Sequence, residues 1–217
     1  MDLLSMLTQM LVGSVTTVRL FLMTMLFSIP FGLCLTLLYV SKNQAVRRAT
    51  GLYILIMRGT PLLLQMFFIY FGAPFLPVIG PFFSGLNRFD ACVVAFVLNY
   101  AAYFAEIFRG GLLAVDVGQY EASKVLGIGR VPTFFKIVMP QMFRIALPAT
   151  SNEAMILVKD TALITALGVS ELLHVTRNAV NVTASVMPFA IAAVFYLAMS
   201  WVVTLFFRQL EKRFDFL

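Results

Sequence analysis

The chain has 217 residues, of which 61% are hydrophobic and only 12% are charged, and its mean hydropathy is +0.93. Soluble domains carry about 25% charged residues, so this composition excludes an ordinary soluble domain. The formal net charge of +6 would suggest a nucleic-acid partner in a soluble protein, but basic residues also collect at the cytoplasmic ends of membrane helices. We therefore expect a lipid bilayer around the chain and no nucleic acid.

The apolar runs predict an all-α membrane protein that forms one domain over residues 1-217. A helix that crosses the hydrocarbon core needs about 20 mostly apolar residues, and the chain has room for about five such spans. Within the first span, Ser28 and Gly32 are small residues four apart, which suits close contact with another helix. The predicted spans are 12-40, 50-71, 90-108, 145-169 and 186-207.

The second span contains a break at Arg58–Pro61. Proline disfavours helix at the residue before it and suits the first turn of a new helix. We therefore expect a kink or a new half-helix at Thr60. The stretch Gly72–Asn87 that follows is apolar and rich in proline and glycine, and we expect an outer loop at the membrane interface.

Lysine and arginine mark the cytoplasmic loops of membrane proteins. The loop after the first span contains Lys42, Arg47 and Arg48, and the stretch between the third and fourth spans is also basic. The loops on the other side contain only Arg88 and Arg177. The N-terminus is therefore predicted outside and the C-terminus inside.

Residues 118-140 form a polar interruption between apolar stretches, on the predicted cytoplasmic side. The pattern indicates a short helix, a turn at Gly127 and a second segment that Pro140 stops. Ala122 and Ser123 are small enough for a partner to approach closely. The region is therefore predicted to dock a cytoplasmic partner. The residues expected to carry this contact are Glu121, Ala122, Ser123, Gly127, Ile137 and Pro140.

The spacing of this region resembles the cytoplasmic coupling motif of ABC importer permeases. In that motif Glu-Ala-Ala is followed after three residues by Gly, and after nine more by Ile-x-Leu-Pro. Every fixed position has its counterpart here, with Ser123 in place of the second alanine and Met139 in place of leucine. Both changes are mild, because serine is still small and methionine is still apolar.

Three further stretches, Arg58–Leu63, Asn99–Gly111 and Lys159–Leu163, resemble the polar-amino-acid branch of these permeases. The resemblance implies a fold like that of type I ABC importers in a bacterial cytoplasmic membrane. It also implies two ABC ATPase subunits that hold ATP and Mg, a second permease copy or paralogue, and an extracytoplasmic amino-acid-binding protein. The chain itself would then be a non-catalytic subunit that binds no cofactor.

Glu153 is the sharpest candidate for a substrate contact, because it lies within the fourth predicted span. A charge at bilayer depth costs about 2.5–3.5 kcal/mol on insertion scales and usually faces a polar cavity or a partner. It could meet the ammonium or side-chain cation of an amino acid, which would favour cationic amino acids. It could equally pair with Lys159 or across a dimer. The predicted path residues are Glu153, Asn152, Ser151, Asn99 and Tyr103.

Two other sets of charges suggest helix pairing or a gate. Glu106 and Arg109 are three apart on one helix and can form a pair, which could simply anchor the cytoplasmic end of the third span. Lys159 and Asp160 are adjacent, so they cannot face each other on a helix, and each is expected to pair elsewhere.

Two other function classes remain open at this stage. A secondary transporter or channel would share the spans and buried charges, but should lack a cytoplasmic coupling motif. A membrane enzyme would need catalytic groups clustered at one depth, and a single histidine with scattered acids does not provide them. The chain contains no phosphate-binding G-x-x-x-x-G-K-[ST] loop, so a separate subunit would have to bind ATP.

Overall fold

The computed structural model describes residues 2–215, and every regular element in that range is helical. A π-helical turn, Phe68–Gly72, follows the third helix, and a 3-10 segment, Thr161–Leu167, follows the eighth. The helices are α1 Leu3–Tyr39, α2 Gln44–Gly59, α3 Leu62–Phe67, α4 Gly80–Phe83, α5 Arg88–Ala114, α6 Val117–Val125, α7 Arg130–Thr133, α8 Met139–Asp160, α9 Leu172–Thr183 and α10 Met187–Asp215.

The long helices confirm an all-helical, multi-pass membrane protein. Within the described residues, α1, α5 and α10 are long and apolar enough to cross a bilayer, and α2 with Leu62–Phe75 passes the same test as a pair bent by 106°. The bend confirms the predicted break, although the new helix begins at Leu62 and not at Thr60. α8, which carries Glu153 and Lys159, is less apolar and is not among these candidate spans. The count of about five spans therefore stays a prediction, and so does the orientation.

The helices extend beyond several predicted span limits. The first predicted span begins at residue 12, whereas α1 begins at Leu3. The third is predicted to end at 108, whereas α5 continues to Ala114. Hydropathy locates the apolar part of a helix, but backbone hydrogen bonds continue through the polar turns at its ends.

α5 lies at the centre of the bundle and contacts α1, α2, α3 and α8. The predicted small pair on α1 makes the close contact, because Ser28 is fully buried and a Cβ at Gly32 would lie 2.7 Å from the Phe104 Cβ. The Thr36 hydroxyl also donates a hydrogen bond across this interface to the Ala105 carbonyl at 3.0 Å. Small residues thus let α1 and α5 pack backbone against backbone.

Pro140 does not stop a segment, which corrects the sequence prediction. α7 runs into a π-helical turn, Phe134–Val138, and then directly into α8. The Met139 N–H donates to the Phe134 carbonyl, which closes the wider turn. Pro140 is the second residue of α8, and the π-helical turn immediately before it lets the helical chain continue through the proline.

The polar stretch Ser170–Ser185 contains a helix, α9, that the sequence analysis did not predict. Glu171 caps its N-terminus: the carboxylate is fully buried and accepts hydrogen bonds from the His174 N–H at 2.7 Å and the Tyr196 hydroxyl at 3.0 Å. Burial raises the pKa of the Glu171 carboxyl above its ordinary value, and the hydrogen bonds that it accepts oppose that rise. Glu171 therefore ties α9 to α10.

Candidate functional site

The predicted docking region is a short helix with a defined start and end. Asp116 caps the N-terminus of α6 by accepting a hydrogen bond from the Gly118 N–H at 2.6 Å. The helix ends at a left-handed Gly127, with φ +71°. Its N–H donates to the Lys124 carbonyl at 3.1 Å, and the Ile128 N–H donates to the Ser123 carbonyl at 2.9 Å. This pair of bonds is a Schellman motif, so the glycine turn is confirmed.

The surface around α6 is apolar and exposed, although it lies outside the predicted spans. Val125 is 87% exposed and Leu126 is 74% exposed. Glu121 and Ala122 are exposed beside them. Contiguous exposed apolar side chains mark a surface that contacts a protein or a membrane. We call this patch the coupling surface; its exposed apolar residues are Val117, Tyr120, Val125, Leu126, Ile128 and Val131.

The other predicted docking residues differ in exposure, and one of them is buried beneath the coupling surface. Ser123 is buried, and its hydroxyl donates to the Gln119 carbonyl at 2.7 Å. Ile137 is half-buried and Pro140 is exposed. The Gln141 side-chain amide donates to the Gln119 side chain at 3.2 Å and to the Ile137 carbonyl at 2.9 Å. These bonds connect α6 to the first turn of α8.

A polar cavity of about 530 Å³ lies where the α2–α3 break meets α5 and α8. Its α8 side is formed by residues three and four apart, which share one helix face. Within residues 2–215 no group of three His, Cys, Asp or Glu side chains is placed to bind a metal ion. The cavity is lined by Arg58, Gly59, Thr60, Pro61, Leu62, Asn99, Tyr100, Tyr103, Glu153, Ile156, Asp160 and Leu163.

Three charged side chains face this polar cavity. The Asp160 carboxylate accepts a hydrogen bond from the Tyr100 hydroxyl at 2.8 Å. The Arg58 guanidinium lies over the Tyr103 ring, with Cζ 5.3 Å from the ring centroid. Among the described residues neither Arg58 nor Glu153 forms an ion pair. The guanidinium of Arg58 and the carboxyl groups of Glu153 and Asp160 therefore face the same cavity.

The structure brings some of the predicted path residues together and separates others. Glu153, Tyr103 and Asn99 line the cavity. Ser151 and Asn152 do not, and Asn152 is exposed on another face of α8. Successive helical residues differ by about 100° in direction, so neighbours of Glu153 in sequence do not follow it into the cavity.

The two sets of charges predicted to pair have different outcomes. Glu106 and Arg109 form an ion pair at 2.7 Å, and the Arg109 guanidinium lies over the Tyr39 ring at 5.2 Å. This cluster ties the end of α5 to the end of α1, away from the cavity lining. Asp160 faces the cavity, whereas Lys159 is exposed and does not line it, so the alternative of an intrachain pair between Glu153 and Lys159 is not formed.

Arg58 lines the cavity but was not predicted as a path residue from the sequence. Arg58 immediately precedes the helix break that the sequence did predict, and this position was the available signal, because broken spans place backbone and polar groups at midplane sites.

Known proteins resemble the chain over nearly its whole length. Residues 28–216 match the family model described as binding-protein-dependent transport system inner membrane component. The octopine transport system permease protein of Rhizobium radiobacter is 36% identical, over 94% of this chain and 86% of its own length. The putative glutamine transport system permease protein of Rickettsia conorii is 33% identical, over 93% of this chain and 90% of its own.

A solved structure supports the same relationship at the level of the fold. A crystal structure of an amino acid ABC transporter with histidines contains a chain that superposes with a TM-score of 0.84 and 30% identity, covering 98% of this chain and 99% of its own. The fold is thus that of an ABC importer permease. The chain belongs to the family of binding-protein-dependent transport system inner membrane components.

Proposed function

We propose that this chain is the permease subunit of an ATP-driven importer of polar amino acids in a bacterial cytoplasmic membrane. The observation that carries the proposal is the coupling surface. Large exposed apolar side chains outside the predicted spans suit a partner contact, and the resemblance of Glu121–Pro140 to the coupling motif favours an ABC ATPase as that partner. The names of the relatives, which include octopine and glutamine permeases, support amino acids and their derivatives as the substrate class.

The complete transporter contains more than this chain. Two ATPase subunits hold ATP and Mg, a second permease copy or a paralogue completes the membrane part, and an extracytoplasmic binding protein delivers the amino acid. This chain binds no cofactor. With the N-terminus outside and about five spans, the coupling surface lies in the cytoplasm, where ATPase subunits are found.

α8 provides the mechanical link between ATPase and substrate path. Its first turn is joined to α6 through Gln141 and Gln119. Glu153 lies about 21 Å further along the same helix, at 1.5 Å per residue from Met139. ATP binding closes the ATPase dimer and moves α6, and α8 carries this displacement to the cavity. The permease then alternates between two states that contact the amino acid differently, which is what transport requires.

The polar cavity supplies groups that match an amino acid backbone. Arg58 is placed to bind the carboxylate, since guanidinium and carboxylate form strong charge-assisted hydrogen bonds. Glu153 is placed to bind the ammonium group or a cationic side chain. The alternative is that Glu153 pairs across the dimer. A Glu153→Gln variant should reduce uptake of arginine and lysine more than uptake of glutamine, and unchanged arginine and lysine uptake would remove Glu153 from the path.

Reconstitution tests the proposed function directly. The complex that purifies with this chain is placed in liposomes with its binding protein, and uptake of labelled L-amino acids is measured with ATP inside and then with an imposed proton or sodium gradient and no ATP. The proposal predicts uptake only with ATP. Uptake that follows the ion gradient without ATP would instead identify a secondary transporter.

A further inference from the structure

Two side-chain amides, one on α3 and one on α5, hold the break between α2 and α3. A helix leaves the carbonyls of its last turn without helical partners. At the end of α2, the Met57 carbonyl accepts two hydrogen bonds from side-chain amides, one from Asn99 Nδ2 on α5 at 2.8 Å and one from Gln65 Nε2 on α3 at 2.9 Å. Both amides therefore act on the residue next to Arg58.

The two amides also bind each other and the other side of the break. Asn99 Nδ2 donates to Gln65 Oε1 at 3.1 Å. Gln65 Nε2 reaches the Thr60 hydroxyl at 2.8 Å and the Thr60 carbonyl at 3.2 Å. Asn99 is only 4% exposed. We call this pair of side chains, Asn99 and Gln65, the amide clasp. Gln65 is half-buried and Thr60 is exposed. A polar network whose donors are satisfied favours one geometry.

We infer that Asn99 and Gln65 are positioning residues that hold Arg58 at the polar cavity and so set the affinity for the substrate carboxylate. The inference rests on the proposed function. Arg58 directly follows the doubly bound Met57 carbonyl, and its guanidinium stands over Tyr103, four residues from Asn99 on α5. Because Asn99 and Tyr103 are both on α5, the amide clasp fixes how far the end of α2 lies from the Tyr103 ring. It therefore fixes the position of the Arg58 guanidinium over that ring.

If the amide clasp only stabilised the fold, its loss would not affect carboxylate binding selectively. Its loss would weaken the fold, and every ligand would lose affinity alike. A clasp that acts through Arg58 predicts a selective loss: binding of an amino acid should weaken, whereas binding of its α-amide, which has no carboxylate, should change little. The ratio of the two affinities therefore separates positioning from stability.

The experiment uses the purified permease–ATPase complex without binding protein. The L-amino acid that the wild-type complex transports fastest among the twenty is chosen, and its dissociation constant and that of its α-amide are measured by equilibrium dialysis. The variants are Asn99→Leu, Gln65→Leu and the double swap Asn99→Gln with Gln65→Asn. The matched control is Asn181→Leu, which removes an exposed amide on α9. Size-exclusion chromatography checks that each complex is assembled.

The wild-type complex should bind the amino acid at least about tenfold more tightly than the amide, as one charge-assisted contact implies. Each leucine variant should bring this ratio to within about threefold of one, the double swap should recover it, and the Asn181 control should keep it. An unchanged ratio in assembled leucine variants, or a wild-type ratio of one, would overturn the inference while leaving the importer proposal intact. Failure of the wild-type complex to transport any of the twenty would contradict both.

Discussion

The left-handed turn at Gly127 provides a quantitative test of the coupling surface. Its φ of +71° lies in the region that residues with a side chain rarely adopt, and a Cβ built there would meet nothing within 4 Å. A Gly127→Ala change therefore introduces backbone strain and no steric clash. For an alanine in the left-handed region that strain costs about 1–2 kcal/mol.

This strain falls on the turn that ends α6 and directs Leu126 and Ile128 towards the partner. A difference of about 1–2 kcal/mol changes the ratio of the native turn to alternatives by a factor of about 5–30. Gly127→Ala should consequently lower ATP-dependent uptake severalfold and raise the ATP hydrolysed per amino acid transported. Gly127→Asn should have a smaller effect, because asparagine tolerates the left-handed conformation.

The assay compares these variants in liposomes that contain the assembled complex. Gly110→Ala is the matched control: Gly110 lies within α5, nothing within 4 Å would meet its Cβ, and alanine favours a helix by about 1 kcal/mol over glycine. Gly110→Ala should keep wild-type coupling. If Gly127→Ala also couples as the wild type does, or if asparagine is as damaging as alanine, the turn does not shape the docking surface.

Substitutions at three further positions test the α1–α5 contact, the cap of α9 and the ion pair on α5, each by thermal unfolding in detergent. Gly32→Val should destabilise the protein by about 1–3 kcal/mol or more, because even a Cβ at this position meets Phe104 at 2.7 Å; a wild-type melting temperature would refute the close contact of α1 with α5. Glu171→Ala should cost about 1–3 kcal/mol, since the half-buried Tyr196 hydroxyl and the first turn of α9 lose their acceptor, and Glu171→Gln should cost less; equal melting temperatures for the two variants would contradict this role. Glu106→Gln should change stability by less than about 1 kcal/mol, because the pair is partly exposed, and a larger loss would show that it does more than anchor α5.

Features that depend on neighbouring residues could be predicted from the sequence. The turn at Gly127 follows from the requirement for a residue without a side chain at a helix end, and the α2–α3 break follows from Pro61. The Ser28 and Gly32 pair predicted a close helix contact because their spacing puts both on one face. Each of these predictions needs only a few adjacent residues.

Features that depend on tertiary contacts could not be predicted in this way. Pro140 looked like a stop signal, but a π-helical turn before it lets the chain continue into α8. Asn152 was predicted to line the path with Glu153, but it lies on another face of α8 because successive helical residues differ by about 100° in direction. Asn99 was expected to line the substrate path; it lines the polar cavity, and its amide holds the break at Met57. Such hydrogen bonds between distant segments leave no local pattern.

Native mass spectrometry of the complex purified through this chain tests the central claim most directly. The complex is extracted from native membranes in mild detergent, and its subunits are identified after its size shows that it is intact. The account predicts that the chain is found with ATPase subunits that carry a phosphate-binding loop, together with a second permease. An intact particle that contains this chain alone, or only copies of it, would contradict the claim that the coupling surface binds an ATPase.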